Sequence, residues 1–374
     1  MYPIGENEEK AWLVWARRKR RTGDGAPSSP DLLAELKSLV ESAGGVVKGE
    51  QTQTLSVESP ATLIGRGTLE HLKETIRENG VNLVVFQNLL RPKQQMILEQ
   101  ELDVKVLDRR EVILDIFAQR ARTREGKLQV ELAQLSFRLG RLIGGRKELS
   151  RLGGGIGTRG PGEKKLEEDR RKIRSQLRQI ERELATVRRT RALHYQRRKE
   201  VGFPVVALVG YTNAGKSTLF NRLTGADVFV ADQLFATLDP TARKFRLPGG
   251  KEAILVDTVG FIHDLPDELL EAFLATLEGI GEADVMVQVV DGSSERMEEN
   301  IDSVNRILVA LDFAEKPSLL AVNKMDRGVS GGPVPGEGFR ISAATGEGLE
   351  TLLRAIEGGL CTHRSPGTGL TRPA

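Results

Sequence analysis

The sequence predicts an α/β protein in three parts: an N-terminal parallel α/β domain, an antiparallel helical hairpin and a second, C-terminal α/β domain. In residues 1–124, short apolar runs alternate with helix-like segments, which is typical of a parallel sheet. Residues 125–200 carry apolar side chains at the spacing of a helix seam. In residues 201–358, a buried-strand pattern leads into a glycine-rich loop and a helix. We expect a flexible tail at 359–374, which is rich in Gly, Pro and Thr.

Length and composition allow two or three folded domains. The chain has 374 residues, 39% of them hydrophobic, which suffices for a core in each domain. The formal net charge is only +3, so a nucleic-acid surface would have to come from local clustering of basic residues. A single cysteine, Cys361, excludes an intramolecular disulfide framework, and no apolar run is long enough to predict a membrane span. A reducing cytoplasm is the expected setting.

Strands and helices alternate in the prediction for the first domain. Strands are predicted at 12–15, 81–86 and 104–107, and helices at about 31–41, 69–78 and 92–101. Gly65-Arg66-Gly67 could suggest a dinucleotide-binding loop, but the third glycine and the acidic residue of that fingerprint are not in place. A turn before a helix is the better interpretation.

Two apolar seams predict the helical hairpin. The first consists of Leu128, Leu132, Leu135, Leu139 and Leu142, and the second of Leu166, Ile173, Leu177, Ile180, Leu184 and Val187. Two such stripes can bury each other in an antiparallel pair. The glycine-rich tip loop, 144–162, fits a flexible linker or a functional loop by composition alone.

Basic residues favour RNA as a partner of the hairpin. From Lys164 to Glu200 there are fourteen Lys or Arg residues against six Asp or Glu residues, an excess larger than a solvated helix face usually shows. The candidates for contacts with RNA phosphates at or near the tip are Arg141, Arg146, Lys147, Arg151 and Arg159. We therefore expect the second helix to present a basic surface to RNA.

The stretch GYTNAGKS, residues 210–217, matches the phosphate-binding pattern G-x-x-x-x-G-K-[ST] at every fixed position. Its glycines allow a turn whose backbone N–H groups point at a phosphate. Lys216 is placed to reach the β- and γ-phosphates, and the Ser217 hydroxyl to bind magnesium. The strand pattern 205–209 and the helix pattern from Thr218 supply the expected flanks. A chance glycine turn would therefore require the motif, the strand and the helix to coincide.

Two later segments have the positions of nucleotide-dependent switches. Thr237 can close over magnesium and the γ-phosphate, and Asp257 can bind magnesium directly or through a water molecule. The Gly260 N–H can meet the γ-phosphate, so that loss of this phosphate would release both segments. Phe261 stands where many GTPases have a glutamine that orients the attacking water. We therefore expect slow intrinsic hydrolysis, with the missing function supplied by a partner, another residue or an ion.

Asn323-Lys324-Met325-Asp326 is typical of guanine recognition, because the aspartate can accept hydrogen bonds from the N1 and N2 donors that adenine lacks. Ser342-Ala343-Ala344 fits the last guanine-contacting loop. Asn213 is either a plain loop residue or a ligand of potassium bound between the phosphates. Lys216, Thr237 and Gly260 are the predicted catalytic residues. The predicted GTP- or GDP-contacting residues are Gly210, Tyr211, Thr212, Asn213, Ala214, Gly215, Lys216, Ser217, Thr218, Asp257, Thr258, Val259, Gly260, Asn323, Lys324, Asp326, Ser342, Ala343 and Ala344, and the predicted magnesium-binding residues are Ser217, Thr237 and Asp257.

Taken together, the motifs GGGIGTRGPGE, GYTNAGKSTLFN, FATLDPT, DTVGFI, NKMD and SAATGEG resemble those of the HflX family of ribosome-associated GTPases over nearly the whole chain. The resemblance implies a P-loop GTPase (G) domain at 201–358 that uses Mg²⁺. It also implies binding to the large ribosomal subunit and its RNA, splitting of stalled or idle ribosomes, and an additional ATPase activity in the N-terminal region. The segment WLVWARRKRR departs from the form typical of the family. The alternatives are a GTP-controlled partner of an RNA-modifying enzyme and an ATPase acting through the N-terminal domain.

Overall fold

The computed structural model describes residues 8–19, 29–144, 161–226, 234–235, 241–263, 280–328 and 338–362. The chain forms two compact units, one made of residues 1–119 and 130–182 and the other of residues 120–129 and 183–374. The first contains a four-stranded sheet and the second a six-stranded sheet. The predicted α/β class is confirmed, whereas the boundaries at 124 and 200 stay a prediction.

The sheet of the first unit is parallel throughout, as predicted. Its strands are β1 (Lys10–Arg18), β2 (Val46–Leu55), β3 (Leu83–Phe86) and β4 (Lys105–Asp108), in the order β2-β1-β3-β4. Strand β2 escapes prediction because it is an edge strand whose polar residues alternate between exposed and half-buried positions. An edge strand needs little apolar surface, so the hydrophobic signal is weak there.

In the described part of residues 8–120, the helices that accompany this sheet are α1 (Ser29–Ser42), α2 (Arg66–Asn79), α3 (Pro92–Leu102) and α4 (Arg109–Arg120). The first three confirm the predicted helices to within a few residues. Gly65 is the N-cap of α2 in an extended conformation, which confirms the turn in place of a dinucleotide loop. The sheet and helices bury a shared core that includes Leu72, Val84, Phe86 and Leu98.

Helices α5 (Arg124–Gly144) and α6 (Pro161–Val201) run antiparallel, which confirms the predicted pairing. In the first unit, the Arg170 guanidinium donates to the Leu142 carbonyl. In the second unit, Arg124 Nη2 donates to Glu183 Oε2 at 2.9 Å. Every position of the predicted α6 seam is buried or half-buried, with Ile180 the most deeply placed in the first unit. Residues 145–160 of the predicted tip lie outside the described residues.

The six-stranded sheet of the second unit has the order β10-β9-β8-β5-β7-β6. The strands are β5 (Val205–Gly210), β6 (Thr241–Arg246), β7 (Glu252–Asp257), β8 (Val285–Asp291), β9 (Ser318–Asn323) and β10 (Phe339–Arg340). All neighbours pair in parallel except β6, which is antiparallel to β7. The carboxyl ends of β5, β7, β8 and β9 therefore meet at one edge, where α/β sheets bind their ligands.

Within the described residues from 205 onward, this unit contains helices α7 (Lys216–Thr224), α8 (Met297–Ala310) and α9 (Leu349–Thr362), together with a 3₁₀ turn at Met325–Arg327. Helix α9 corrects the predicted start of the tail, because residues 359–362 are helical. Leu360 explains the difference: it is buried in the core of this unit, so packing carries the helix past Gly358 and Gly359. None of the helices in the described ranges has both the length and the apolarity for crossing a membrane.

Candidate functional site

The phosphate-binding loop requires glycine at both of its fixed glycine positions. The nine residues from Gly210 to Thr218 connect the end of β5 to the first turn of α7. Gly210 has a φ of 149°, and a Cβ there would lie 2.1 Å from the Val289 carbonyl oxygen. Gly215 has a φ of 90°, and its Cβ would lie 2.3 Å from Asn323 Nδ2. The sequence motif thus reflects close backbone packing as well as positive φ.

Lys216 lies inside this loop rather than in solvent. Its Nζ donates to the carbonyl oxygens of Gly210 at 3.0 Å and Tyr211 at 2.8 Å, and its side chain is buried. Burial lowers the pKa of Lys216 to about 8, and the negative charge of Asp257 offsets part of that effect. The ammonium group therefore remains mostly charged at neutral pH and can bind a phosphate.

Ser217 and Asp257 form the part of the predicted magnesium site that lies in the described residues. Ser217 Oγ donates to Asp257 Oδ2 at 2.8 Å, and Asp257 is fully buried at the end of β7. A hydroxyl and a carboxylate are oxygen ligands of the kind that Mg²⁺ prefers, and Mg²⁺ usually takes its remaining ligands from phosphates and water. These two residues fit the ion. Thr237 lies outside the described residues.

The segment after β7 contacts the phosphate-binding loop directly. A Cβ on Gly260 would lie 2.7 Å from both Cα and Cγ2 of Thr212 and 3.1 Å from Lys216 Nζ. Thr258 Oγ1 donates to the Leu208 carbonyl at 2.6 Å, and the side chain of Val259 is buried. The side chains of residues 258 and 259 thus hold the segment in the fold, which leaves their backbone N–H groups for a nucleotide.

Phe261 and the phosphate-binding loop pair through their backbones, a contact that sequence reasoning missed. Phe261 N donates to the Gly210 carbonyl at 3.1 Å, and Thr212 N donates to the Phe261 carbonyl at 2.7 Å. The Phe261 side chain is buried. Next to this bridge, the His263 N–H donates to the Tyr211 hydroxyl at 2.8 Å. The two loops are therefore joined, and residue 261 contributes backbone rather than a side chain that could orient water.

The predicted guanine-reading residues converge at the ends of β9 and β10. Asn323 Nδ2 donates to the Ala214 carbonyl at 2.9 Å, and Asn323 Oδ1 accepts from the Ala343 N–H at 2.9 Å. Asn323 thus links the phosphate-binding loop to the loop after β10. Lys324 is held by an ion pair with Asp291 at 2.7 Å.

Asp326 is oriented for a ligand by Ser342, whose Oγ donates to Asp326 Oδ1 at 2.6 Å. This hydrogen bond is the main reason that the pKa of Asp326 lies below its usual value, so the carboxylate is ionised at neutral pH. Asp326 and Ala344 are exposed, whereas Ser342 and Ala343 are buried. An oriented, solvent-facing carboxylate can accept the two guanine donors. Asn213 is exposed with a φ of 60°. Both of its interpretations, a plain loop residue and a potassium ligand, stay predictions.

Comparison with known proteins agrees with this arrangement. Three family models match in order along the chain: GTP-binding GTPase N-terminal at 31–118, GTP-binding GTPase Middle Region at 120–198, and 50S ribosome-binding GTPase at 205–324. The GTPase HflX of Caldanaerobacter subterraneus subsp. tengcongensis is 51% identical over 332 residues, covering 89% of this chain and 78% of that protein. The chain belongs to the HflX GTPase family. The Escherichia coli HflX GTPase is 45% identical over 332 residues, covering 87% of this chain and 78% of that protein.

A solved structure extends the match to the fold. The GDP complex of the protein SsGBP has a TM-score of 0.51 and 23% sequence identity, and the match covers 94% of this chain and 99% of that one. This likeness shows the fold alone. The HflX sequence matches therefore carry the family assignment.

The structure describes part of the basic surface of the hairpin that α5 and α6 form. Among the α6 side chains that the structure describes, seven basic residues are exposed: Lys165, Arg171, Lys172, Arg174, Arg178, Arg182 and Arg189. Arg146, Lys147, Arg151 and Arg159 lie outside the described residues. Arg141 is engaged within the first unit, where its Nη1 lies 3.0 Å from Glu111 Oε1 and its guanidinium packs 4.6 Å from the Phe137 ring. Of the residues predicted to contact RNA, Arg141 is thus already engaged in an ion pair within the chain.

Proposed function

We propose that this protein is a GTP-hydrolysing switch that binds the large ribosomal subunit and splits or rescues stalled or idle ribosomes. The close approach of Gly260 to Thr212 and Lys216 carries the proposal. Because the segment after β7 rests directly on the phosphate-binding loop, a γ-phosphate beside Lys216 must change the position or the contacts of Gly260. The occupancy of the γ-phosphate site then decides the state of the switch.

The nucleotide contacts follow from the groups already described. The backbone N–H groups of the loop and the Lys216 ammonium bind the β- and γ-phosphates. Ser217 and Asp257 hold Mg²⁺, together with Thr237, and this ion neutralises charge that develops on the phosphates. The carboxylate of Asp326 accepts the N1 and N2 donors of guanine, so GTP is preferred to ATP.

The ribosomal part of the proposal rests on charge and on family. The exposed basic residues of α6 provide a surface for RNA phosphates, and such binding weakens as salt rises. The family model at 205–324 is described as a 50S ribosome-binding GTPase. We infer that the GTP-bound G domain fixes the hairpin in a ribosome-binding pose, and that ribosomal contact stimulates a slow intrinsic hydrolysis and then release.

Guanine specificity can be tested by changing Asp326 alone. In Asp326→Asn the amide can donate to the C2 carbonyl of xanthine but can no longer accept from the C2 amino group of guanine. We expect GTP affinity to fall at least about tenfold and xanthosine triphosphate affinity to rise, as one good paired contact accounts for such a factor. Unchanged GTP affinity would remove Asp326 from the guanine site.

Stimulation by the ribosome can be tested by phosphate release from GTP with and without large ribosomal subunits. A rate that rises with subunit concentration is expected, whereas equal rates would contradict stimulation.

Binding to isolated transfer RNA with no binding to the large subunit would instead support a partner of an RNA-modifying enzyme. Equal rates in potassium and sodium would exclude Asn213 as a potassium ligand.

A further inference from the structure

Thr212 has a buried hydroxyl for which the fold supplies no partner. The residue is 6% exposed, and its Oγ1 has no hydrogen-bond partner in the described part of the chain. Buried polar groups are nearly always hydrogen-bonded, so each exception requires an explanation. At a binding site, the usual explanation is a ligand or a water molecule that takes part in the reaction.

The position of Thr212 indicates which part of the nucleotide it would meet. A Cβ on Gly260 would lie 2.7 Å from Thr212 Cγ2 and 3.1 Å from Lys216 Nζ, so these three residues surround one small region. Lys216 and Gly260 are the groups that approach the γ-phosphate in the proposed function. The Cγ2 methyl group of Thr212 therefore faces Gly260 at the γ-phosphate end of the site, and the hydroxyl is attached to the same Cβ.

Three other hydroxyl groups around the loop are already engaged. The Tyr211 hydroxyl accepts from the His263 N–H, Ser217 donates to Asp257, and Thr258 donates to the Leu208 carbonyl. These contacts fix the loop and the metal-binding groups rather than the attacking water.

The backbone of Thr212 is also fixed, since its N–H donates to the Phe261 carbonyl at 2.7 Å. The same bridge holds Phe261, the residue at the usual position of the water-orienting glutamine, in the fold with its side chain buried. A hydroxyl on a rigid backbone, next to this position, can replace the amide of a glutamine without moving a loop.

We propose that Thr212 is a catalytic residue that orients the attacking water, taking the place of the missing glutamine. Its hydroxyl accepts a hydrogen bond from the water and donates to a γ-phosphate oxygen. The water oxygen forms a bond to the γ-phosphorus, the bond from that phosphorus to the β–γ bridging oxygen breaks, and both protons of the water end on the released phosphate. Thr212 itself neither gains nor loses a proton. The inference rests on the GTP hydrolysis proposed above.

Two substitutions separate the hydroxyl from the packing of the side chain. Thr212→Val keeps the shape and removes the hydroxyl, whereas Thr212→Ser keeps the hydroxyl and removes the methyl group. We expect single-turnover GTP hydrolysis to fall about 10- to 100-fold in Thr212→Val, by analogy with the loss of one oriented hydrogen-bonding group. Thr212→Ser is expected to stay within about threefold of the unchanged protein, or ~0.6 kcal/mol. Thr351→Val, on the exposed side of α9, serves as the control.

Affinities for GDP and for a non-hydrolysable GTP analogue are measured on the same proteins, with and without large ribosomal subunits. Catalysis by Thr212 predicts affinities within about threefold of the unchanged protein while the rate falls. Hydrolysis by Thr212→Val at the unchanged rate, or an equal loss in Thr212→Ser, would overturn the proposal and assign Thr212 a packing role. If Thr212→Val also lowers GDP affinity, the rate and the affinities of Thr212→Ala are measured and compared in the same way. Absence of GTP hydrolysis by the unchanged protein would instead contradict the proposed function.

Discussion

Asn323 offers the strongest test of how the site is built, because one buried side chain joins two loops. It is 2% exposed, and it donates to the Ala214 carbonyl and accepts from the Ala343 N–H, each at 2.9 Å. Asn323→Ala leaves both buried backbone groups unpaired. Each lost bond with an unpaired partner costs about 1–3 kcal/mol, so the second unit should lose about 2–6 kcal/mol of stability. GDP affinity should fall as well, because Gly215 packs against the same amide.

The tryptophans make the assay selective. Trp12 and Trp15, the two tryptophans of the chain, both lie in β1 of the first unit. Urea unfolding followed by tryptophan fluorescence therefore reports the first unit, whereas far-ultraviolet circular dichroism reports both. The dichroism midpoint of Asn323→Ala should fall by about 1–3 M, given a slope of about 2 kcal/mol per molar urea, and the fluorescence midpoint should stay constant.

Two control variants sharpen the result. Asn323→Asp keeps the acceptor for Ala343 but places a carboxylate oxygen against the Ala214 carbonyl at a buried site, so it should also lower the dichroism midpoint. Asn305→Ala, at an exposed position of α8, should shift neither midpoint. A dichroism shift in Asn323→Ala no larger than that of Asn305→Ala would refute the assignment of Asn323 as the link between the loops.

Three further predictions follow from the contacts and charges. Gly210→Ala places a Cβ 2.1 Å from the Val289 carbonyl oxygen and should lower GDP affinity at least about tenfold by calorimetry, whereas normal binding would contradict the required close approach. Because Lys216 has a pKa of about 8, GDP affinity should decline as pH rises above about 8, and a flat profile would show that its charge is not used. Burial, which outweighs the Arg141 charge, raises the pKa of Glu111 from 4.5 to about 7, so the folded state binds more protons in this range. The tryptophan-detected stability should therefore decrease by up to ~3 kcal/mol between pH 4.5 and 7, and Glu111→Gln should remove that decrease.

The sequence predicts those parts of the fold whose cause is local. Positions 210 and 215 must be glycine because a side chain would meet nearby atoms, so the requirement is visible in the motif itself. Helix α4 was not predicted because it begins at Arg109, directly after β4 ends at Asp108, and no loop residues mark the change. Strand β6 is mostly exposed, so it lacks the apolar pattern of its parallel neighbours.

Contacts between distant loops could not be predicted in this way. The Phe261 bridge uses backbone atoms, which leave no trace in residue type, and the Tyr211–His263 contact joins residues 52 positions apart. Arg141 looked like a contact for RNA because it is basic, yet the fold brings it to Glu111. ATP binding by residues 1–124 stays a prediction, since residue types alone identify no phosphate-binding motif there.

Co-sedimentation with large ribosomal subunits tests the central claim most directly. The protein is centrifuged with subunits in the presence of GTP, a non-hydrolysable GTP analogue or GDP, at two salt concentrations. If Gly260 transmits the γ-phosphate state to the hairpin, binding should be strongest with the analogue and weakest with GDP, and it should weaken as salt rises. Identical binding in all three nucleotide states would contradict the switch.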